Sequence, residues 1–201
     1  MGGEHGSPTA PTATAQSEAV ERYRVEEALE GLLFDVRRSA RYHERRCAFF
    51  TVLHRLTNLT AILLAGVVLM ELLAREPSPI WIRVLAAIGG LLSACDLVVG
   101  FGASADAHRD FKRRWVALER QILKGALHPT ATDERLIIET EEPPIYRALD
   151  VLCHNELCRA MGMARCEMYR VPRFVRWTAQ ILHWYDRSFA PLEPRPPAES
   201  T

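Results

Sequence analysis

Two apolar runs decide how this chain folds: LTNLTAILLAGVVLMELLA at 56–74 and VLAAIGGLLSACDLVVGFGASA at 84–105, separated by REPSPIWIR at 75–83. The fifty residues from Leu56 to Ala105 hold five charges: Glu71, Arg75, Glu76, Arg83 and Asp96. Apolar residues go all round both runs, whereas a surface helix confines them to one stripe. As helices rising 1.5 Å per residue the runs are about 28 and 33 Å long, and a hydrocarbon core is roughly 30 Å thick. Pro77 and Pro79, set among charges, stop a helix and suit a tight exposed turn. The pattern predicts a helical hairpin through a membrane, with spans at 56–74 and 84–105 and an external turn at 75–83. A soluble bundle with a very apolar central hairpin is the competing reading, and Glu71 and Asp96 speak for it.

Working outward, Arg37, Arg38, Arg41, Arg45, Arg46 and Arg55 precede the first span, and Arg109, Lys112, Arg113, Arg114 and Arg120 follow the second. The positive-inside rule then places both termini in the cytoplasm. Residues 1–30 contain no apolar signal-peptide core, so the first span is expected to act as its own targeting signal.

The whole-chain averages conceal this division. The 201 residues carry 25 Lys+Arg against 25 Asp+Glu, so net charge is zero. That balance speaks against a nucleic-acid binder. Five widely spaced cysteines do not suggest a disulfide framework.

Residues 1–17 read as a disordered low-complexity tail. Over 18–55, Val25, Leu29, Leu32, Val36, His43, Cys47, Phe50 and His54 follow steps of three and four, predicting a cytoplasmic helix that runs into the first span. Phe111, Trp115, Leu118 and Ile122 continue the second span as a helix over 106–125, stopped by Gly125 and Pro129. Over 126–189, a linker at 128–135 is expected to precede two further cytoplasmic helices. One opens at Glu141-Glu142-Pro143-Pro144 and ends at Gly162. The last covers roughly Pro172–Phe189, with Phe174, Trp177, Ile181 and Trp184 on a stripe. It either packs on the cytoplasmic helices or lies on the inner leaflet through its Trp and Arg content. Residues 190–201 form a Pro-rich tail. The fold class is therefore an all-α membrane protein, a two-span hairpin whose long helices extend into a cytoplasmic bundle.

Asp96 is the most informative residue, because a carboxylate at bilayer depth costs several kcal/mol unless paired, protonated or wetted. At helical spacing it shares a small, polar face with Gly89, Ser93, Gly100 and Ala103. That face either lines a water-filled path between subunits, where a ring of Asp96 favours cations, or Asp96 is a structural partner of Asn58, Thr57 or a boundary base. Ala86, Gly90 and Ala94 form a separate small-residue track suited to close helix contact. A two-helix hairpin encloses no conduit, so a pore requires a homo-oligomer in lipid.

Cys153-His154-Asn155-Glu156 and Cys158 invite a metal or thiol reading. His154 and Cys158, four apart, share a helix face, but zinc needs two further ligands and Cys166 is the only obvious neighbour. Adjacent Cys153 and His154 point apart, against a nucleophilic pair. The favoured reading is a packed helix with no catalytic residue, no metal and no cofactor; a membrane-tethered enzyme on this helix is the least favoured. His43, His54 and His108, near the boundary, read as hydrogen-bonding groups or as pH sensors.

One resemblance ties these pieces together. Arg41-Tyr42-His43-Glu44-Arg45-Arg46, Phe49-Phe50 and His54 lead into the first span. Ala105, His108, Trp115 and Leu118 follow the second, then Glu141-Glu142-Pro143-Pro144, Ala148-Leu149 and Cys153-His154-Asn155-Glu156-Leu157. Over about residues 30–162 this order resembles the SLATT domain, a two-transmembrane effector found with nucleotide-synthesising and nucleotide-sensing proteins of bacterial conflict systems. The resemblance implies an oligomeric pore of the bacterial inner membrane that permeabilises the cell when a nucleotide signal reports infection. Family members are often fused or genetically coupled to a sensor or nucleotidyltransferase. These residues contain neither, so sensing is expected from such a protein in trans, from the cytoplasmic helices, or not at all. A non-conducting scaffold that recruits a cytoplasmic partner is the alternative.

Overall fold

A computed structural model describes residues 13–73, 79–125, 129–164 and 167–193. The readings of a disordered tail before residue 13, of the turn at 75–78 and of the tail from 194 lie outside them. Among the described residues the chain is helical, with a single isolated bridge pairing Tyr169 and Pro191 and no strand.

Helix α1 (Ala13–Leu73) is one unbroken 61-residue rod, about 92 Å long at 1.5 Å per residue. No proline interrupts it, and its Gly31 and Gly66 each meet open space. It begins four residues before the expected end of the tail, because Ala13-Thr14-Ala15-Gln16 contains no helix breaker and alanine is the best helix former. Helix α2 (Ile80–Val99) starts directly after Pro79 and spans 20 residues, about 30 Å.

The second span does not run on as one helix. Gly100 adopts the left-handed conformation (φ 65°, ψ 59°) and separates α2 from α3 (Phe101–Leu123). Glycine takes this geometry without the Cβ clash that costs other residues about 1–2 kcal/mol. The second apolar helix therefore ends at Val99, six residues before Ala105.

Both α1 and α2 are long and apolar enough to cross a membrane, and only 6 % of the most apolar 18-residue stretch of either is buried. The core helix of a soluble protein would be mostly buried. Here Leu59, Ile62, Leu63, Leu69, Ile88, Leu91, Leu97 and Val98 point away from protein. Each such side chain forgoes roughly 1.5–3 kcal/mol if it faces water, which hydrocarbon would restore.

Below the apolar region α1 packs along α3. Val36 and Ala40 meet Trp115, Leu118 and Ile122, and Ala131 and Ile138 complete that cluster. The last two belong to α4 (Pro129–Glu141), a helix where a linker at 128–135 was expected. Pro129 suits a first helical position, and Arg135 bridges Glu139 one turn on and Asp35 of α1. Glu142–Tyr146 is consequently an extended connection, and α5 (Arg147–Ala160) starts only after it.

A second cluster joins Tyr42 of α1 to Ala148, Leu149 and Cys153 of α5 and to Val175 and Ala179. Val175 lies in α6 (Arg173–Thr178), six residues instead of the expected eighteen. The hydroxyl of Thr178 donates back to Phe174 O at 2.9 Å and accepts from Trp184 Nε1 at 3.2 Å. That folds the chain back over α6, and Trp184 itself has φ 51°. Arg170 N to Ala190 O and Leu192 N to Met168 O close the segment on itself.

Candidate functional site

Asp96 joins three helices. Its Oδ2 lies 2.9 Å from the Thr57 hydroxyl and accepts from His54 Nδ1 at 3.1 Å, while its Oδ1 accepts from Phe101 N at 2.9 Å. The last bond supplies a partner for one of the N–H groups that every helix start leaves open, here at the beginning of α3. His54 carries its proton on Nδ1 in this arrangement, which leaves Nε2 to accept from Asn58 Nδ2 at 3.1 Å. The His54 ring lies over Gly102, whose missing Cβ would come within 3.3 Å of it. A groove of about 430 Å³ opens here, lined by His54, Thr57, Asn58, Ser93, Asp96 and Gly100 among others. The Ser93 hydroxyl is buried beside it with no hydrogen-bond partner among the described residues.

The face carrying Gly89, Ser93 and Asp96 thus turns toward α1. A Cβ on Gly89 would stand 2.5 Å from Thr60 Cγ2 and 2.8 Å from Leu64 Cδ1. Gly90, expected to make the close helix contact with Ala86 and Ala94, has nothing within 4 Å. Gly90 and Ala94 are exposed and Ala86 is half-buried, so the close approach within the chain uses the adjacent glycine. Thr60 cannot rotate away freely, because its hydroxyl is bonded to Leu56 O at 2.7 Å. Gly89→Val is expected to lower the melting temperature in detergent, through about 1–3 kcal/mol of overpacking. Gly90→Val should leave it nearly unchanged.

A second polar cluster lies where α1, α3 and the α4–α5 connection meet. Glu142 Oε1 accepts from His43 Nε2 at 2.9 Å and from Trp115 Nε1. His43 Nδ1 and His108 Nδ1 are 2.9 Å apart, so one carries the proton and the other accepts it. The side chains of His43 and Glu142 are 1 % and 4 % exposed. Burial, reinforced by the positive fields of His43 and Arg46, pushes the His108 pKa down to about 4. His108 is therefore neutral at physiological pH.

Tyr42 accepts from Tyr146 N at 3.0 Å, and burial pushes its phenol up to about 12. Arg46 is buried, with its guanidinium 4.6 Å from the Phe50 ring centre and 4.2 Å from that of Tyr146. It donates to Gln180 O at 2.6 Å, which fastens the C-terminal segment to α1. On α5, Asn155 holds both backbone groups of Tyr169 at 2.7 Å, Glu156 pairs with Arg45 at 2.9 Å, and His154 Nε2 lies 2.8 Å from Glu167 O and 3.4 Å from Cys158 Sγ. Burial pushes the Cys153 thiol up to about 12, leaving it protonated and unreactive at neutral pH. No three His, Cys, Asp or Glu residues converge as metal ligands among the described residues. Cys166 lies outside them.

The structure brings together Asp96, Ser93 and His54 at one site, His43, His108 and Trp115 at another, and Tyr42, Arg46 and the α5 residues at a third. Glu142, which serves the second site, stands in the sequence as a helix opener and as part of the SLATT-like run, and its role as a core acceptor is new from the structure. His43 and Trp115 on the facing stripes of two core helices were its available signal, since each brings a buried N–H that needs an acceptor.

Among the described residues these features define a predominantly helical fold with two helices long and apolar enough to cross a membrane and polar clusters at one end of the apolar zone. Comparison with protein-family models, with curated proteins and with solved structures returned no match.

Proposed function

We propose that this chain is the subunit of an oligomeric pore in the bacterial inner membrane, with α1 and α2 crossing as a hairpin and both termini in the cytoplasm. The observation that carries the reading is the Asp96 site: an acid near the end of an apolar helix, opening onto a groove, bonded to α1 and, across a left-handed joint, to the first residue of α3. A pivot at Gly100 that separates α2 from α3 breaks the bond from Phe101 N. Oδ1 is then released toward the groove while Thr57 and His54 keep Oδ2, and a ring of such carboxylates contributed by several subunits attracts cations. The resemblance to SLATT domains adds the biological role: an effector of nucleotide-dependent antiviral defence, driven by a nucleotidyltransferase or nucleotide sensor in trans.

The test is single-channel recording on the full chain in planar bilayers. Asp96→Asn is expected to lower cation-over-anion selectivity severalfold while the protein stays folded. A conductance whose selectivity does not change removes Asp96 from the conduit. Complete lack of conductance, with or without nucleotides, favours the alternative of a non-conducting scaffold. That alternative draws on the same geometry, since Asp96 already has three protein donors within the chain.

A further inference from the structure

The C-terminal segment presents an apolar surface that the chain leaves uncovered. One side of it is fixed: Val175 and Ala179 are buried against Tyr42 and α5, and Gln180 is held by Arg46. The other side exposes Trp177 at 85 %, Phe174 at 66 % and Ile181 at 64 %, with Leu182 and Tyr185 beside them. From Tyr169 to Tyr185 the sequence holds Arg170, Arg173 and Arg176 and no acid, a local charge of +3. All three arginines are exposed.

We infer that this surface rests on the anionic inner leaflet, as a second membrane contact independent of the two spans. Height along α1 supports the assignment. Val52, the first strongly exposed large apolar side chain on the approach to the apolar run of α1, lies six residues beyond Arg46, about 9 Å at 1.5 Å per residue. The headgroup layer on each side of a bilayer is roughly 5–8 Å deep. The segment that Arg46 holds at Gln180 therefore lies close to the outer edge of the headgroup layer. Trp and Tyr prefer that level, and arginine side chains there lay their stems on apolar surface while their guanidinium groups meet phosphate. Each base near an anionic surface strengthens attraction by about a factor of five, equivalent to about 1 kcal/mol. An aromatic face flanked by Arg170, Arg173 and Arg176, with Asp186 the next acid in sequence, matches this occupant better than it matches a second copy of itself, which would bring like charges together.

The inference rests on α1 and α2 crossing a bilayer, so its test reports on both. The full chain is reconstituted into phosphatidylcholine vesicles with and without phosphatidylglycerol, using lipids brominated close to the headgroup as fluorescence quenchers. Subtracting the emission of Trp177→Phe from that of the unaltered protein isolates Trp177. Trp81→Phe isolates Trp81 in the first turn of α2 in the same way. Both signals are expected to be quenched. Quenching of Trp177 alone should deepen with phosphatidylglycerol and recede in the double variant Arg173→Gln, Arg176→Gln. If Trp81 is quenched while Trp177 stays water-like, the spans stand and the leaflet contact is overturned. If the Trp177 emission is blue-shifted but unquenched, protein covers the surface and the contact is again overturned. If Trp81 is not quenched either, the membrane hairpin fails and takes the inference with it.

Discussion

Glu142→Leu is expected to destabilise the protein by about 2–6 kcal/mol, since each buried donor left without a partner costs roughly 1–3 kcal/mol. The two donors are His43 Nε2 and Trp115 Nε1, both served by the one oxygen Oε1. Because a single oxygen accepts both bonds, Glu142→Gln should recover most of the loss: the amide oxygen has two lone pairs and takes the same place. Urea titration in detergent compares the two variants. A leucine variant as stable as the glutamine variant would mean that the cluster is dispensable. Trp115→Phe should lose less stability in the leucine background than in the unaltered protein, since the indole bond is already gone there.

Acid should weaken the fold before its carboxylates are fully protonated. In the unfolded chain His108 binds a proton near its ordinary pKa of 6.5, but in the folded protein only near 4. Between these values the unfolded state holds more protons, so stability falls as pH falls from about 6.5 to about 4 and this contribution levels off below that. The gap of 2.5 units corresponds to about 3 kcal/mol. His108→Gln removes the titrating group and keeps a hydrogen-bonding side chain beside His43. Measured unfolding free energies of this variant should decline less over that interval, and a parallel decline in both proteins would exclude His108 as the source.

The two apolar helices were legible because their signal is additive: nineteen or more residues with almost no charge outweigh any local irregularity. The pairing of α1 with α3 was legible from stripes such as Leu29–Leu32–Val36 facing Phe111–Trp115–Leu118–Ile122. What the pattern could not give was local backbone geometry. Gly100 sits in an apolar run that hydropathy treats as continuous, and its left-handed turn is fixed by Asp96, which bonds to the backbone of Phe101 and to residues roughly forty positions away. Gly89 and Gly90 are indistinguishable in sequence, and only the angle at which α1 crosses α2 selects between them. Helix α6 stops short because Trp184 returns to cap Thr178, a tertiary event that the Phe174–Trp177–Ile181 spacing does not encode. Glu142 hid for a related reason: before two prolines it reads as helix-opening chemistry, whereas the structure uses it as an acceptor in the core.

The unbroken length of α1 and the joint at Gly100 give the paired helices unequal mechanics. A rod of 61 residues with no break in its hydrogen-bond ladder is the stiffer of the two paired elements. The partner strut is articulated, and a push along α3 is spent on bending at Gly100 before it moves α2. The two struts are cross-tied only by side chains at that level. A stiff shaft and a jointed one thus run side by side, and Asp96 is the residue bonded to the shaft and across the joint.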